Sequence, residues 1–391
     1  MSLPQLVREE SVQSPDMEPA CAALVERRRV ARTLPPYEMS TLDEITDALN
    51  DLLASQDASA RVSSIARLGG GASKEQFVFD VKPVPGGGPP TAGRYVLRTD
   101  PQCPIIETDC RREFALLNAM NGVVPVPEPT WLDGEGRFFG RPAMITEFVA
   151  GVTKPVAGQE KVSGLGTRLG EPLRSLLKQQ FLDILVRIHA FDWQEMALEG
   201  FGVPNADPAQ AARWSLNFWD ALWTLDKVED RPIATLVRCW LMDNVPDCQE
   251  LVLTHGDYRT GNYLFDEDTG KIAAVLDWEL ARIGDFHEDL AWVLMRLFSF
   301  EEDGILRASD LYEREEFISS YESASGRTVN RKTLHFYEVL GVWKCYIIVA
   351  ASGLSVSRRK HSHQDIVLTY MSAAGAMFAH DLAELLGQEV K

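Results

Sequence analysis

Thr254-His255-Gly256-Asp257-Tyr258-Arg259-Thr260-Gly261-Asn262-Tyr263-Leu264-Phe265, continued by Ile272-Ala273-Ala274-Val275-Leu276-Asp277-Trp278-Glu279, decides how this 391-residue chain is read. Asp257 and Asn262 stand five apart, and Asp277 follows Asn262 by fifteen. The apolar runs that follow Asn262 and precede Asp277 predict two short strands. A carboxylate, an amide and a second carboxylate are thereby tied to the ends of neighbouring strands.

That order of groups suits phosphoryl transfer, which asks a protein for alignment and cations more than for covalent chemistry. The interval from Asp257 to Asn262 is that of the loop H-R-D-x-x-x-x-N, with Gly256 in the Arg position and Asp277-Trp278-Glu279 in place of D-F-G. Asp257 is the candidate to accept or orient the acceptor's proton. Asn262 and Asp277 carry hard oxygens suited to Mg²⁺. Arg259 is the candidate to reach the transferring phosphate, and His255 to brace the loop. Asp289 is expected to bond the loop backbone, and Asp285 to cap a helix over 285–299.

Upstream, Gly69-Gly70-Gly71-Ala72-Ser73-Lys74-Glu75 separates two predicted strands, 65–68 and 76–81. Gly70, Gly71 and Ser73 would let backbone N–H groups approach phosphates. No Gly-Lys-Ser/Thr follows, so the cluster is not a Walker A, and a plain hairpin turn is the competing reading. Arg98 ends the strand Tyr95-Val96-Leu97-Arg98, and Glu113 lies on the next helix. A guanidinium there would hold phosphates and Glu113 together. Glu147 and Val149, at the junction of the halves, offer backbone groups to a nucleotide base.

The surrounding pattern predicts an α+β architecture. Residues 1–40 form an N-terminal extension whose Arg27-Arg28-Arg29 is expected on a solvated helix face or mobile arm. Thr41 and Glu44 read as a capping box for a helix at 42–52. Residues 41–147 form the nucleotide-binding half, in which roughly 60–150 alternate as strands around one helix near 109–120. Residues 148–391 carry helical stripes, such as Leu177, Phe181, Ile184, Leu185 and Ile188. A net charge of −18 disfavours nucleic acid and anionic membranes as partners. The six cysteines form no C-x-x-C pair and no zinc spacing, and no leader or apolar run of 18 residues is apparent. A cytoplasmic setting is expected.

Taken together, these residues resemble the aminoglycoside phosphotransferase-like, or choline-kinase-like, small-molecule kinase family. The resemblance is carried by 68–76, 95–98, Arg112-Glu113-Phe114, Val124-Pro125-Val126-Pro127, 185–189 and the catalytic segment. Y-V-L-R, H-G-D-Y-R-x-G-N and D-W-E are most similar to the branch typified by the kinase-like domain fused to some acyl-CoA dehydrogenases. The resemblance implies a bilobal protein-kinase-like fold, an antiparallel-sheet N-lobe that binds nucleotide and a mainly helical C-lobe. It implies Mg²⁺, with ATP or GTP as phosphoryl donor. It implies a small acceptor, a hydroxy acid or hydroxyacyl thioester before an aminoglycoside. Only seven residues separate Asp277 from Asp285, too few for a peptide-docking segment, which also argues for a small acceptor. Glu301-Glu302-Asp303 and Glu313, Glu315 and Glu316 are candidates to receive a cationic one. A nucleotide-binding pseudokinase serving as an interaction module is the alternative.

Overall fold

A computed structural model describes residues 16–388 except 57–59, 70–73, 84–91, 102, 107, 156–166, 197 and 363. Helices α1 (Pro19–Ala31) and α2 (Leu42–Gln56) lead into strands β1 (Ala60–Leu68), β2 (Glu75–Pro83) and β3 (Gly93–Thr99). Helix α3 (Cys110–Met120) and strands β4 (Pro129–Asp133) and β5 (Ala143–Glu147) follow. Beyond them lie α4 (Leu173–His189), α5 (Gln210–Asp226), α6 (Pro232–Asp243), β6 (Leu251–Thr254), β7 (Tyr263–Phe265), β8 (Ile272–Val275) and β9 (Arg282–Asp285). The chain continues through α7 (His287–Val293), the hairpin β10 (Phe300–Glu302) and β11 (Ile305–Arg307), α8 (Arg314–Ser325) and α9 (Arg331–Ile347). A π-helical turn joins α9 to α10 (Leu354–Arg358), before α11 (Asp365–Met371) and α12 (Gly375–Leu386).

Strands β1 to β5 form one antiparallel sheet in the order β1-β2-β3-β5-β4. Phe77, Phe79, Val81, Tyr95, Leu97 and Ile145 share a core with Ile45, Leu49, Leu52 and Leu53 of α2. Full burial of one such side chain contributes about 1.5–3 kcal/mol. Strand side chains alternate, so Leu97 in that core sends Arg98 to the opposite face. The capping box forms as expected: the Thr41 N–H donates to Glu44 Oε2 at 2.8 Å, and the Glu44 N–H to Thr41 Oγ1 at 3.2 Å.

On α3, Cys110, Glu113, Leu116, Leu117 and Met120 share the buried side. Helical spacing therefore turns Glu113 inward with its apolar neighbours. The apolar members join the large core of the helical half, together with Phe181, Trp219, Leu290 and Trp343. The halves form the bilobal kinase-like fold, an antiparallel-sheet lobe followed by a mainly helical one.

Two expectations are corrected. The helix expected over 285–299 is shorter: Asp285 ends β9, the antiparallel partner of β6, the α-helix runs His287–Val293, and a 3-10 turn follows at Arg296–Phe298. Arg27-Arg28-Arg29 is not one solvated face. Cys21, Leu24, Arg28 and Ala31 fall on the buried stripe of α1, and Arg28 is sealed against Asp226 of α5 with Nη2 to Oδ2 at 2.5 Å. By length and composition alone, two helical stretches, Arg331–Arg358 and Asp365–Leu386, are long and apolar enough to cross a membrane. The first is 83% buried within the helical half.

Candidate active site

Strands β7 and β8 pair antiparallel, Tyr263 opposite Val275 and Leu264 opposite Ala274. The ladder continues one step, with the Leu276 N–H on the Asn262 carbonyl at 2.8 Å. This register brings Asn262 and Asp277 together at the open end of the hairpin. Asp277 sits in the left-handed region at φ 59°, a conformation Asp tolerates better than most residues.

Gly256 stands at φ 79°, and a Cβ there would lie 2.5 Å from the Leu280 carbonyl oxygen. A side chain at this position, such as the Arg of H-R-D, has no room. Asp289 accepts the N–H groups of His255 at 2.7 Å and Gly256 at 2.8 Å, as expected, and bonds His189 Nε2 at 3.1 Å. Burial alone would raise the Asp289 pKa; the bonds from His189 and the His255 backbone outweigh it and hold the carboxyl low. Asp285 ends β9 and caps the turn into α7, taking the His287 N–H at 3.0 Å.

His255 Nε2 donates to the Leu276 carbonyl at 2.9 Å, and its Nδ1 accepts the Asp257 N–H at 3.1 Å. These bonds fix a neutral tautomer, and burial lowers the pKa from 6.5. The unfolded chain therefore takes up a proton below pH 6.5 while the folded chain does not. His255 contributes stability above pH 6.5 that is lost as pH falls toward its folded pKa. The difference in urea midpoint between wild type and His255→Gln is expected to shrink from pH 7.5 to pH 5.5. A constant difference counts against a neutral buried His255.

Three donors hold the Asp257 carboxylate. Trp292 Nε1 reaches Oδ1 at 2.6 Å, Arg259 Nε reaches Oδ1 at 3.2 Å, and Asn262 Nδ2 reaches Oδ2 at 2.6 Å. Asn262 Nδ2 also donates to the Asp257 carbonyl at 2.9 Å, which commits the amide nitrogen and leaves Oδ1 without a partner among the described residues. Arg259 lies over the Phe298 ring at 4.7 Å. Beneath the loop, the buried Lys344 donates to the Gly256 carbonyl at 2.6 Å and lies over Trp292 at 4.0 Å. Burial pulls the Lys344 pKa down.

Arg98 pairs with Glu113 and reaches further. Its Nη1 bonds Glu113 Oε1 at 2.5 Å, and its Nη2 bonds Asp277 Oδ1 at 2.9 Å, across the two halves. The sequence reading missed a second cation. Lys74 Nζ lies 2.6 Å from Glu113 Oε2, 3.3 Å from Glu279 and 3.6 Å from Asp100, with 1% of its side chain exposed. Burial pushes the Glu279 pKa up. The same burial acts on Glu113, but Arg98 and Lys74 outweigh it and hold its carboxyl low. The only hint of Lys74 was its place at the start of a strand beside the glycine cluster. Trp292 and Lys344 gave none, because each lies in an apolar helical run.

Gly70, Gly71 and Ser73 lie outside the described residues. The Glu147 side chain is exposed, and its N–H is taken by the Glu128 carbonyl at 2.8 Å. The Val149 N–H has no partner among the described residues. Three of the six acidic candidates are engaged in ion pairs. Glu302 pairs with Arg168 and Arg174, Glu315 with Arg331 and Glu316 with Lys178.

The sequence is 29% identical over 218 residues to mouse acyl-CoA dehydrogenase family member 10, covering 55% of this chain and 19% of that protein. It is 26% identical over 333 residues to human acyl-CoA dehydrogenase family member 11, covering 76% and 40%. The chain thus spans less than half the length of these relatives. The fold is similar to that of a thermostable mutant of aminoglycoside phosphotransferase APH(4)-Ia in ternary complex with ADP and hygromycin B. The TM-score is 0.54 and the identity 16%, covering 88% of this chain and 100% of that one. A macrolide 2'-phosphotransferase of type I gives a TM-score of 0.55 at 17% identity, covering 86% and 98%. A model of the phosphotransferase enzyme family, APH, matches residues 64–324, most of the segment that builds this site, and the chain belongs to that family.

Proposed function

We propose that this chain is a small-molecule kinase that moves the γ-phosphate of ATP or GTP to a hydroxyl of a hydroxy acid or hydroxyacyl thioester. The reading is carried by Arg98, bonded at once to Glu113 and Asp277, which joins the sheet lobe to the catalytic segment. Residues 41–147 hold the nucleotide, with Arg98, the glycine cluster and Val149 around it. Residues 148–391 supply the catalytic loop and the acceptor site. Asp257 Oδ1 accepts from both Trp292 and Arg259, and Oδ2 from Asn262 alone. Oδ2 therefore keeps a lone pair to take the acceptor's proton while the hydroxyl oxygen attacks the γ-phosphorus and the nucleoside diphosphate leaves. Arg259, fixed beside Asp257, neutralises charge on the transferred group. The names of the relatives join this kind of segment to acyl-CoA dehydrogenases, which supports an acyl acceptor. The antibiotic-binding neighbours are under 25% identical and say nothing of the acceptor. A cytoplasmic setting belongs to the same proposal.

The donor set suits Mg²⁺: Asn262 Oδ1 and the second oxygen of Asp277 are uncommitted hard oxygens at one end of a hairpin. When bound, Mg²⁺ would neutralise phosphate charge there. Asp277→Ala is expected to abolish the Mg-dependent part of ATP affinity in calorimetry, and Asn262→Ala to weaken it. Unchanged Mg dependence in both variants removes the assignment. The function is tested by nucleotide consumption with Mg-ATP or Mg-GTP against hydroxy acids, hydroxyacyl thioesters and aminoglycosides. Transfer to a hydroxyacyl compound supports the proposal. Nucleotide binding without transfer to any acceptor supports the pseudokinase alternative.

A further inference from the structure

The N-terminal segment makes contacts that neither the sequence nor the catalytic reading calls for. Glu18, 4% exposed at the start of α1, meets Arg112 of α3 with Oε1 to Nη2 at 3.0 Å. The same carboxylate accepts the Gly202 N–H of the helical lobe at 2.8 Å. Arg112 continues to the Ala281 carbonyl at 3.4 Å and lies over the Phe201 ring at 4.4 Å. Further along α1, Arg27 donates to the Thr108 carbonyl just ahead of α3. Arg28 bonds the Pro104 carbonyl at 2.5 Å with Nη1 and Asp226 of α5 at 2.7 Å with Nε. Beyond α1, the Tyr37 N–H reaches the Lys360 carbonyl at 2.8 Å, while its hydroxyl donates to Glu75 of β2. Glu18, Arg28 and Tyr37 each have one end on the sheet lobe or the β3–α3 loop and another on the helical lobe, and Arg27 adds a hold on that loop.

The grip falls on one element. Arg112 and Glu113 are consecutive on α3; the first is held by Glu18, and the second holds Arg98 and Lys74. A helix free to tilt would carry Glu113 away from both cations. Buried ionic contacts fix an arrangement because each broken partner leaves an uncompensated charge. We infer that residues 18–37 are a built-in brace that positions α3, so that Glu113 keeps Arg98 set for the nucleotide phosphates. Glu18, Arg28 and Arg112 are then positioning residues. They act through Glu113 and touch neither nucleotide nor acceptor. The inference rests on the proposed reading of Arg98 and Glu113 as nucleotide-facing.

The test uses the full chain, with Mg-ATP titrated calorimetrically and amide hydrogen exchange followed in α3 and α4. Glu18→Gln is expected to raise the Mg-ATP Kd about fivefold or more and to speed exchange in α3 but not in α4. Arg112→Lys, which keeps a cation for Glu18, should stay within about twofold of wild type on both measures. A folded Glu18→Gln chain with unchanged Kd, or with α3 protection unchanged, overturns the inference. Should that variant fail to fold, the wild type still decides. Amides of α1 and α3 must open with one denaturant dependence, and α3 opening ahead of α1 sinks the brace. If the wild type binds no Mg-ATP, the proposed function falls, while the exchange measurements still judge the brace.

Discussion

Asp257→Asn is expected to lower phosphoryl transfer by about 10²–10⁴, the scale of a lost general base, with Mg-nucleotide affinity within about threefold of wild type. Asparagine keeps the shape, and its oxygen still accepts from Trp292 at the 2.6 Å position. What is lost is the charge and the atom that takes the proton. Arg98 and Asp277, the groups proposed to face the nucleotide, are untouched by the change. The pair of measurements therefore separates chemistry from binding. Normal turnover in the purified, folded variant removes Asp257 from the mechanism. A parallel collapse of nucleotide affinity would make it a structural residue of the loop.

Glu113→Ala is expected to be the most destabilising single change in the sheet lobe. It strands two cations, Lys74 at 1% exposure and Arg98 at 11%. Removing one partner of a buried ionic cluster costs about 3–5 kcal/mol, readable as a lower urea midpoint. Arg98→Ala should cost less, because Glu113 keeps Lys74. Both variants should raise the nucleotide KM and lower kcat, and the double variant should lose less than the sum of the two. Lys74 shares Glu113, so the Arg98–Glu113 cycle measures a three-body unit rather than a pair. Arg98→Lys should keep partial activity, with one contact in place of a fork. Loss of under about 1 kcal/mol in Glu113→Ala would show that the cluster is solvated. Coupling near zero between Arg98 and Glu113 would leave nucleotide positioning to the glycine cluster and the metal.

Sequence by itself determined the parts of this protein that local geometry encodes. A strand alternates with period two, so 75–99 announced a sheet and put Arg98 on the face away from Leu97. A hairpin register follows from its two apolar runs, so Asn262 and Asp277 were readable as neighbours. Helical spacing turned Glu113 inward, and Thr41 with Glu44 marked a helix start. The five-residue interval from Asp257 to Asn262 is likewise a short-range fact, and it carried the family resemblance.

Tertiary structure alone decided what depends on distant partners. Lys74 reads as a strand-start charge until α3 and Glu279 close over it. Trp292 and Lys344 read as core residues of α7 and α9. Only folding brings the indole N–H to Asp257 and the ammonium to the Gly256 carbonyl. Arg28 lies between two other arginines, so composition suggested water. Its buried place required Asp226, 198 residues away, as a counter-charge. Asp285 carried the expectation of a helix start, and it ends β9 instead because β6 takes that segment as the partner of its ladder. In each case the deciding energy is a contact between segments far apart in the chain, and no local pattern records such a contact.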